Sequence, residues 1–149
     1  MRIGFLPAAL ALLLVPAGVL RADLKRAMAE PNLEKRSGLA MENAAAALKA
    51  AREAYDKNDS DLTAKDLAEI QESVDLAYDS LVQSGKNPRN SSWCKKAEIS
   101  TRDLSRRLES FQEQMSYTDR PMLDAVKAGV QKVHDDLLMS VMEGRKKKK

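Results

Sequence analysis

The sequence predicts an all-α chain, an up-down-up-down four-helix bundle over residues 31–144 that follows an N-terminal signal segment. Three observations lead there. Apolar residues recur at three- and four-residue steps through four successive stretches. Each stretch is bounded by capping residues or by Gly and Pro. No period-two alternation persists and no Asn-Gly hairpin turn occurs, so strand signals are missing. The 149 residues are one domain's worth of polymer, too short for a two-domain enzyme with a cleft between lobes.

Residues 1–22 read as an address. Arg2 supplies a basic start, residues 3–20 carry no charge, and Pro16 and Gly18 end the most apolar part. Ala22 is the small residue expected at a cleavage point, which leaves a mature chain starting at Asp23. Ala27-Met28-Ala29 matches the small-x-small pattern better, but Lys25 and Arg26 separate it from the apolar run. The alternative is an uncleaved anchor. Pro7 and Pro16 weaken that alternative, because each removes a backbone donor that lipid cannot replace. The expected location is therefore exported, periplasmic or secreted.

The first helical segment covers residues 31–57. Pro31 suits a first turn, where its missing N–H is no loss. Leu33, Ala40, Ala44, Ala47, Leu48, Ala51 and Tyr55 form the stripe, and Glu53–Lys57 is the best-oriented surface ion pair. The alanine run 44–47 presents a thin face that lets a partner helix approach closely. The second segment starts near Thr63, with Asp66 completing a loose capping box. Its stripe is Leu67, Ile70, Val74, Ala77, Leu81 and Val82, and Gly85 and Pro88 end it.

Ser91 or Ser92 caps the third segment. There Trp93, Ala97, Thr101, Leu104, Leu108, Phe111 and Met115 trace a coiled-coil-like seam. Thr118 or Asp119 caps the fourth segment, with Pro121 in its first turn and Leu123, Val126, Val130, Val133, Leu137 and Val141 inward until Gly144. Short loops join consecutive helices, which favours antiparallel neighbours.

Chemistry-bearing residues are few. A single cysteine excludes a disulfide framework, and a single histidine excludes a two-histidine metal site. His134 sits beside Asp135 and Asp136, but adjacent helix positions do not face each other, so a packing role is expected over a general base. Cys94 lies near a helix N-terminus with Lys95 and Lys96 following, yet nothing in the sequence can resolve an oxidised form. An unpaired cysteine in a small hydrophobic environment is the expectation, with its exposure left open. Glu42, Glu69, Glu72 and Glu98 could gather inside a bundle, but di-metal bundles want Glu-x-x-His pairs and His134 has Gln131 at that position. No cofactor or metal is expected.

The loop and third segment hold Lys86, Arg89, Lys95, Lys96, Arg102, Arg106 and Arg107. Glu98–Arg102 and Asp103–Arg107 pair in the favourable order, so a solvated and locally compensated face is expected. Residues 145–149 differ. Arg145, Lys146, Lys147, Lys148 and Lys149 are consecutive cations, expected to stay disordered and suited to anionic lipid head groups or another acidic polymer. Nucleic acid is disfavoured, because no aromatic stacking residue accompanies them. Gly38 and Gly129 fall inside helices, where close helix crossing and simple tolerance both remain open.

The stretch SGKNPRNSSWCKKAEISTRDLSRRLESF, then MSYTDRPMLDAV and a lysine-rich end, resembles small exported bacterial helical proteins with no assigned function. The likeness covers roughly residues 33–149 and implies export and a helical fold, with no catalytic residue to carry over. ALKAAREAY is also similar to the first helix of a tetratricopeptide repeat, but no 34-residue period follows.

Charge completes the reading. The formal +3 divides into +2 from residues 1–22, +5 from residues 145–149, and −4 from the 18 basic and 22 acidic residues between. The expected function is a non-enzymatic exported bundle that binds an envelope partner or an anionic surface through residues 145–149. The first alternative is a helical interaction or homo-oligomerisation module; a small enzyme using Cys94 or His134 is the remote one.

Overall fold

The computed structural model describes residues 23–144. The signal segment predicted over residues 1–22 and the polybasic residues 145–149 lie outside the described residues. Within them, helix accounts for 84% and there is no strand, so the all-α class stands. There are five α-helices: α1 (Lys25–Ala29), α2 (Leu33–Asp56), α3 (Ser60–Gln83), α4 (Ser92–Gln114) and α5 (Asp124–Glu143).

The short α1 is an element the sequence reading lacks. Leu24 and Ala27, three apart, turn inward, and Ala27 is buried against the rest of the core. Pro31 stands outside α2, not in its first turn. Asn32 takes the cap instead, its Oδ1 accepting the Lys35 N–H at 2.9 Å. Asn58 ends this helical hairpin arm with φ 57°, a left-handed conformation that asparagine tolerates. α3 begins earlier than Thr63 because Asp59 caps it, accepting from the Leu62 N–H at 3.0 Å. Thr63 is buried, its hydroxyl donating to the Asp59 carbonyl. The predicted Glu53–Lys57 pair is replaced by Lys49–Glu53, because Lys57 already lies past the helix end.

Ser91 caps α4 as the sequence predicts, its Oγ accepting from the Cys94 N–H. The start of α5 differs. Pro121 sits in a 3-10 turn, Arg120–Leu123, and the α-helix begins only after it. Asp119 is unavailable as a cap, since its carboxylate accepts from the Tyr55 and Ser116 hydroxyls. Gln112 holds the turn in place, donating from Nε2 to the Arg120 carbonyl and to Asp124 Oδ1.

α2 packs along α3 and α4 along α5, forming two antiparallel hairpins. α2 also lies on α4, and α3 on α5, while the consecutive helices α3 and α4 barely meet. Both contacts between hairpins run parallel. Gly38 faces Trp93 near the starts of α2 and α4, and Tyr55 meets Phe111 edge-on near their ends, 5.8 Å between centroids. The expectation of antiparallel neighbours thus holds within each hairpin and fails between α3 and α4. Residues 84–91 can span up to about 26 Å extended, enough to cross diagonally over the end of the molecule.

Leu48, Ile70, Val74, Leu108, Leu123 and Val130 are fully enclosed in the centre. Trp93 is half-buried at the seam's start, and the six seam positions that follow it, through Met115, are all buried. Val82 departs from its predicted stripe, at 60% exposure. Gly38 and Gly129 both mark close approach. A Cβ on Gly38 would stand 2.7 Å from Trp93 Cζ3, and one on Gly129 would overlap the Gln71 amide.

Candidate functional site

One end of the molecule brings together the start of α2, the crossover 84–91 and the end of α5. Its opposite end is sealed: the Tyr55 hydroxyl accepts from the Ser116 N–H and donates to Asp119, tying the first hairpin to the second turn. At the open end, Gly144 stops α5 with φ 71°, its N–H donating to the Ser140 carbonyl at 3.0 Å. A Cβ there would lie 3.2 Å from Asn87 Oδ1 and 3.5 Å from Arg89 Cβ, so the chain leaves α5 against the crossover. Lys86 pairs with Glu34 of α2, whereas Arg89 is exposed and makes no ion pair among the described residues. The five cations of residues 145–149 follow Gly144 directly in sequence.

The outer face of α5 at this end is apolar. Leu138, Met139 and Met142 are 36%, 53% and 65% exposed, although Val126, Val130, Val133 and Leu137 of the same helix are buried. A cleft of about 260 Å³ opens beside it between α3 and α5, lined by Tyr78, Leu81, Val82, Pro88, Leu137 and Cys94 among others. Burial, then the neighbouring Asp136, pushes the Tyr78 hydroxyl above its ordinary range. Lys132 donates to Asp136 at 2.9 Å, which holds its ammonium above the usual value. A second concavity, about 620 Å³, runs between α2 and α4. Met41, Trp93, Leu104 and the exposed Ile99 form its floor and wall, with Glu42, Lys96, Asp103 and Arg107 along its edges.

The residues considered for chemistry are placed inward and apart. His134 is buried between α5 and α4, its Nδ1 3.3 Å from Thr101 Oγ1 and 3.8 Å from Glu98 Oε1. Thr101 has one hydroxyl proton, and the Ala97 and Glu98 carbonyls compete for it, so His134 Nδ1 serves as the donor. Glu98 is held in turn by Arg102, through Nε and Nη2. This chain of polar groups joins α4 and α5. Asp135 and Asp136 turn to Gln131 and Lys132, as the helix geometry demands. Cys94 is buried, with its thiol unpaired.

The four glutamates do not converge. Glu69 accepts from Asn43 at the α2/α3 seam and lines a concavity with Glu72, while Glu98 serves Arg102 and Glu42 edges the α2/α4 groove. Among the described residues, no group of three or more His, Cys, Asp and Glu could hold a metal ion. Of the basic group, Arg102 and Arg107 make the predicted pairs with Glu98 and Asp103, and Lys96 sits 5.1 Å over the Trp93 ring. Among the described residues no helix is long and apolar enough to cross a membrane.

No family model and no curated protein matches this chain. The candidate site therefore stands on its own chemistry. The exposed apolar face of α5 is one that the sequence reading missed. The signal was present: Leu138 and Met142, one and five residues past Leu137, fall about 100–140° around the helix from the seam.

Proposed function

We propose that this chain is an exported, non-enzymatic protein whose residues 31–144 form an up-down-up-down four-helix bundle. It docks on an anionic surface of the cell envelope through Arg145, Lys146, Lys147, Lys148 and Lys149. The observation that carries this reading is the exit of the chain at Gly144 beside the exposed Arg89. The tail's charge thereby starts beside one exposed cation on a body whose residues 23–144 are net negative. Each basic residue near an anionic bilayer contributes about 1 kcal/mol, so five together supply affinity that a single pair does not. The attraction is electrostatic and weakens with salt.

Deleting residues 145–149 tests this. Co-sedimentation with anionic vesicles should be lost and the far-UV helical signal retained; unchanged co-sedimentation overturns the reading.

The groove between α2 and α4 favours a second reading, a helix-docking module that pairs with a partner or with itself. Its apolar floor with charged edges is the form that accepts an amphipathic helix. It predicts concentration-dependent oligomers by light scattering that persist after tail deletion and disappear in Ile99→Asp.

A further inference from the structure

We infer that a second copy of this chain docks on the α2/α4 groove, α4 crossing α4 antiparallel about a two-fold axis between Ile99 and Ser100. This rests on the helix-docking reading and names its partner.

The occupant is read from charge. Lys96, Ile99, Ser100 and Asp103 all border the groove, and all but the half-buried Ser100 are exposed. At about 100° of turn per residue they fall within about 100° of the helix circumference, so they share one face. Lys96 and Asp103 stand two turns apart, and the Ile99–Ser100 peptide bond lies midway between them. A two-fold rotation at that point exchanges the two positions. It sets Lys96 of each copy against Asp103 of the other, twice in one interface, and each Ile99 against the other's Ser100.

Both charges are available. Lys96 lies 5.1 Å over the Trp93 ring and has no carboxylate partner among the described residues. Asp103 reaches Arg107 only at 3.9 Å, with 67% of its side chain exposed. Arg102, by contrast, is already committed to Glu98. Together with Glu42 and Arg107, the groove's edges hold two acids and two bases. A surface of mixed sign and zero net charge does not repel its own copy, and its pattern decides the register.

The shape agrees. Gly38, Ala45 and Ala97 carry little side chain into the groove, so a crossing helix comes close to both backbones. Ile99, 57% exposed, supplies the apolar contact at the axis, where both copies bury it at once. An isologous contact of this kind closes after two copies, so it yields a dimer and not a filament.

The test is analytical ultracentrifugation of the full chain over a range of concentrations. Lys96→Glu and Asp103→Lys change exposed side chains only, so the far-UV helical signal should be retained. Each reversal turns two attractions into two repulsions and should weaken self-association about tenfold. An equimolar mixture of the two variants should recover parental association, because every pair across the axis is again opposite in sign. Lys96→Glu combined with Asp103→Lys in one chain should recover it too. If the single variants assemble like the parent, or neither combination recovers, the two-fold register is overturned. The helix-docking reading then stands provided that Ile99→Asp still abolishes association. A parent chain that stays monomeric overturns the inference outright. Association that survives Ile99→Asp puts the interface elsewhere and removes the reading and the inference together.

Discussion

Alanine and serine close the α2/α3 hairpin, whereas leucine, phenylalanine and valine close α4/α5. In the first, Ala40, Ala44, Ala47 and Ala51 of α2 and Ser73, Ala77 and Ser80 of α3 are all buried, and the Asn43 amide donates to Ser73 and Glu69. The backbones come close along most of their length. In the second, Leu104, Leu108 and Phe111 meet Val126, Val130, Val133 and Leu137, and the polar insert is Thr101–His134. The same fold class is thus stabilised in two ways: by close backbone approach with little side-chain area, and by buried side-chain bulk. Each way fails differently. A thin seam is most sensitive to gain of volume, and a thick one to its loss.

The largest expected effect comes from emptying the thick seam. Leu108 is fully buried, so Leu108→Ala should cost about 3–4 kcal/mol by denaturant unfolding. A loss below about 1 kcal/mol would mean that α4 and α5 collapse together, and the contrast between the hairpins would fail. Next is overfilling the thin one. Ala47 is equally enclosed, and Ala47→Leu should cost about 1–3 kcal/mol by forcing α2 and α3 apart. A neutral result would show slack where close packing is expected.

The smallest effects come from the two helical glycines, and they should differ in sign. Gly38→Ala drives a methyl to 2.7 Å from a Trp93 ring carbon, so the ring must move and about 1 kcal/mol is lost. Gly129→Ala meets only the amide end of Gln71, a flexible side chain. The gain in helix propensity, about 1 kcal/mol, should win against the disturbed Gln71–Asp75 hydrogen bond. Thermal unfolding should register shifts of about 4 °C in opposite directions. Equal shifts would remove the distinction between a tryptophan contact and a glutamine contact.

Much of this was legible in the sequence. The seam spacing of α4 and α5 depends only on helical periodicity, and the structure buries those residues, with Trp93 and Val141 at the ends half-buried. The Ser91 cap and the Gly144 stop were readable because their chemistry is local. What escaped depended on tertiary competition. Asp119 should have capped a helix, but Tyr55, 64 positions earlier in the chain, claims its carboxylate. His134 was rightly denied its neighbours Asp135 and Asp136, yet no one-dimensional rule pointed to Glu98 and Thr101 on another helix. The pairing of α2 with α4 was hidden for the same reason, since loop length bounds where a chain can go without choosing among neighbours. The exposed ridge on α5 was within reach of a helical wheel. A search for core positions passes over apolar residues that lie off the core.

Residues 84–91 are the single covalent connection between the two hairpins, since the one cysteine is unpaired. Every contact between α2 and α4, or α3 and α5, is therefore one that a second copy of the chain could supply equally well. What keeps the hairpins together within one molecule is the tether's effective concentration, which for a short flexible link is in the millimolar range. Below that concentration each chain completes itself. A crossover too short to reach the diagonal would transfer the same docking to a neighbour and yield an exchanged, two-chain assembly with an unchanged interior. The polypeptide is in this sense two matched halves whose partnership is decided by a strap of eight residues.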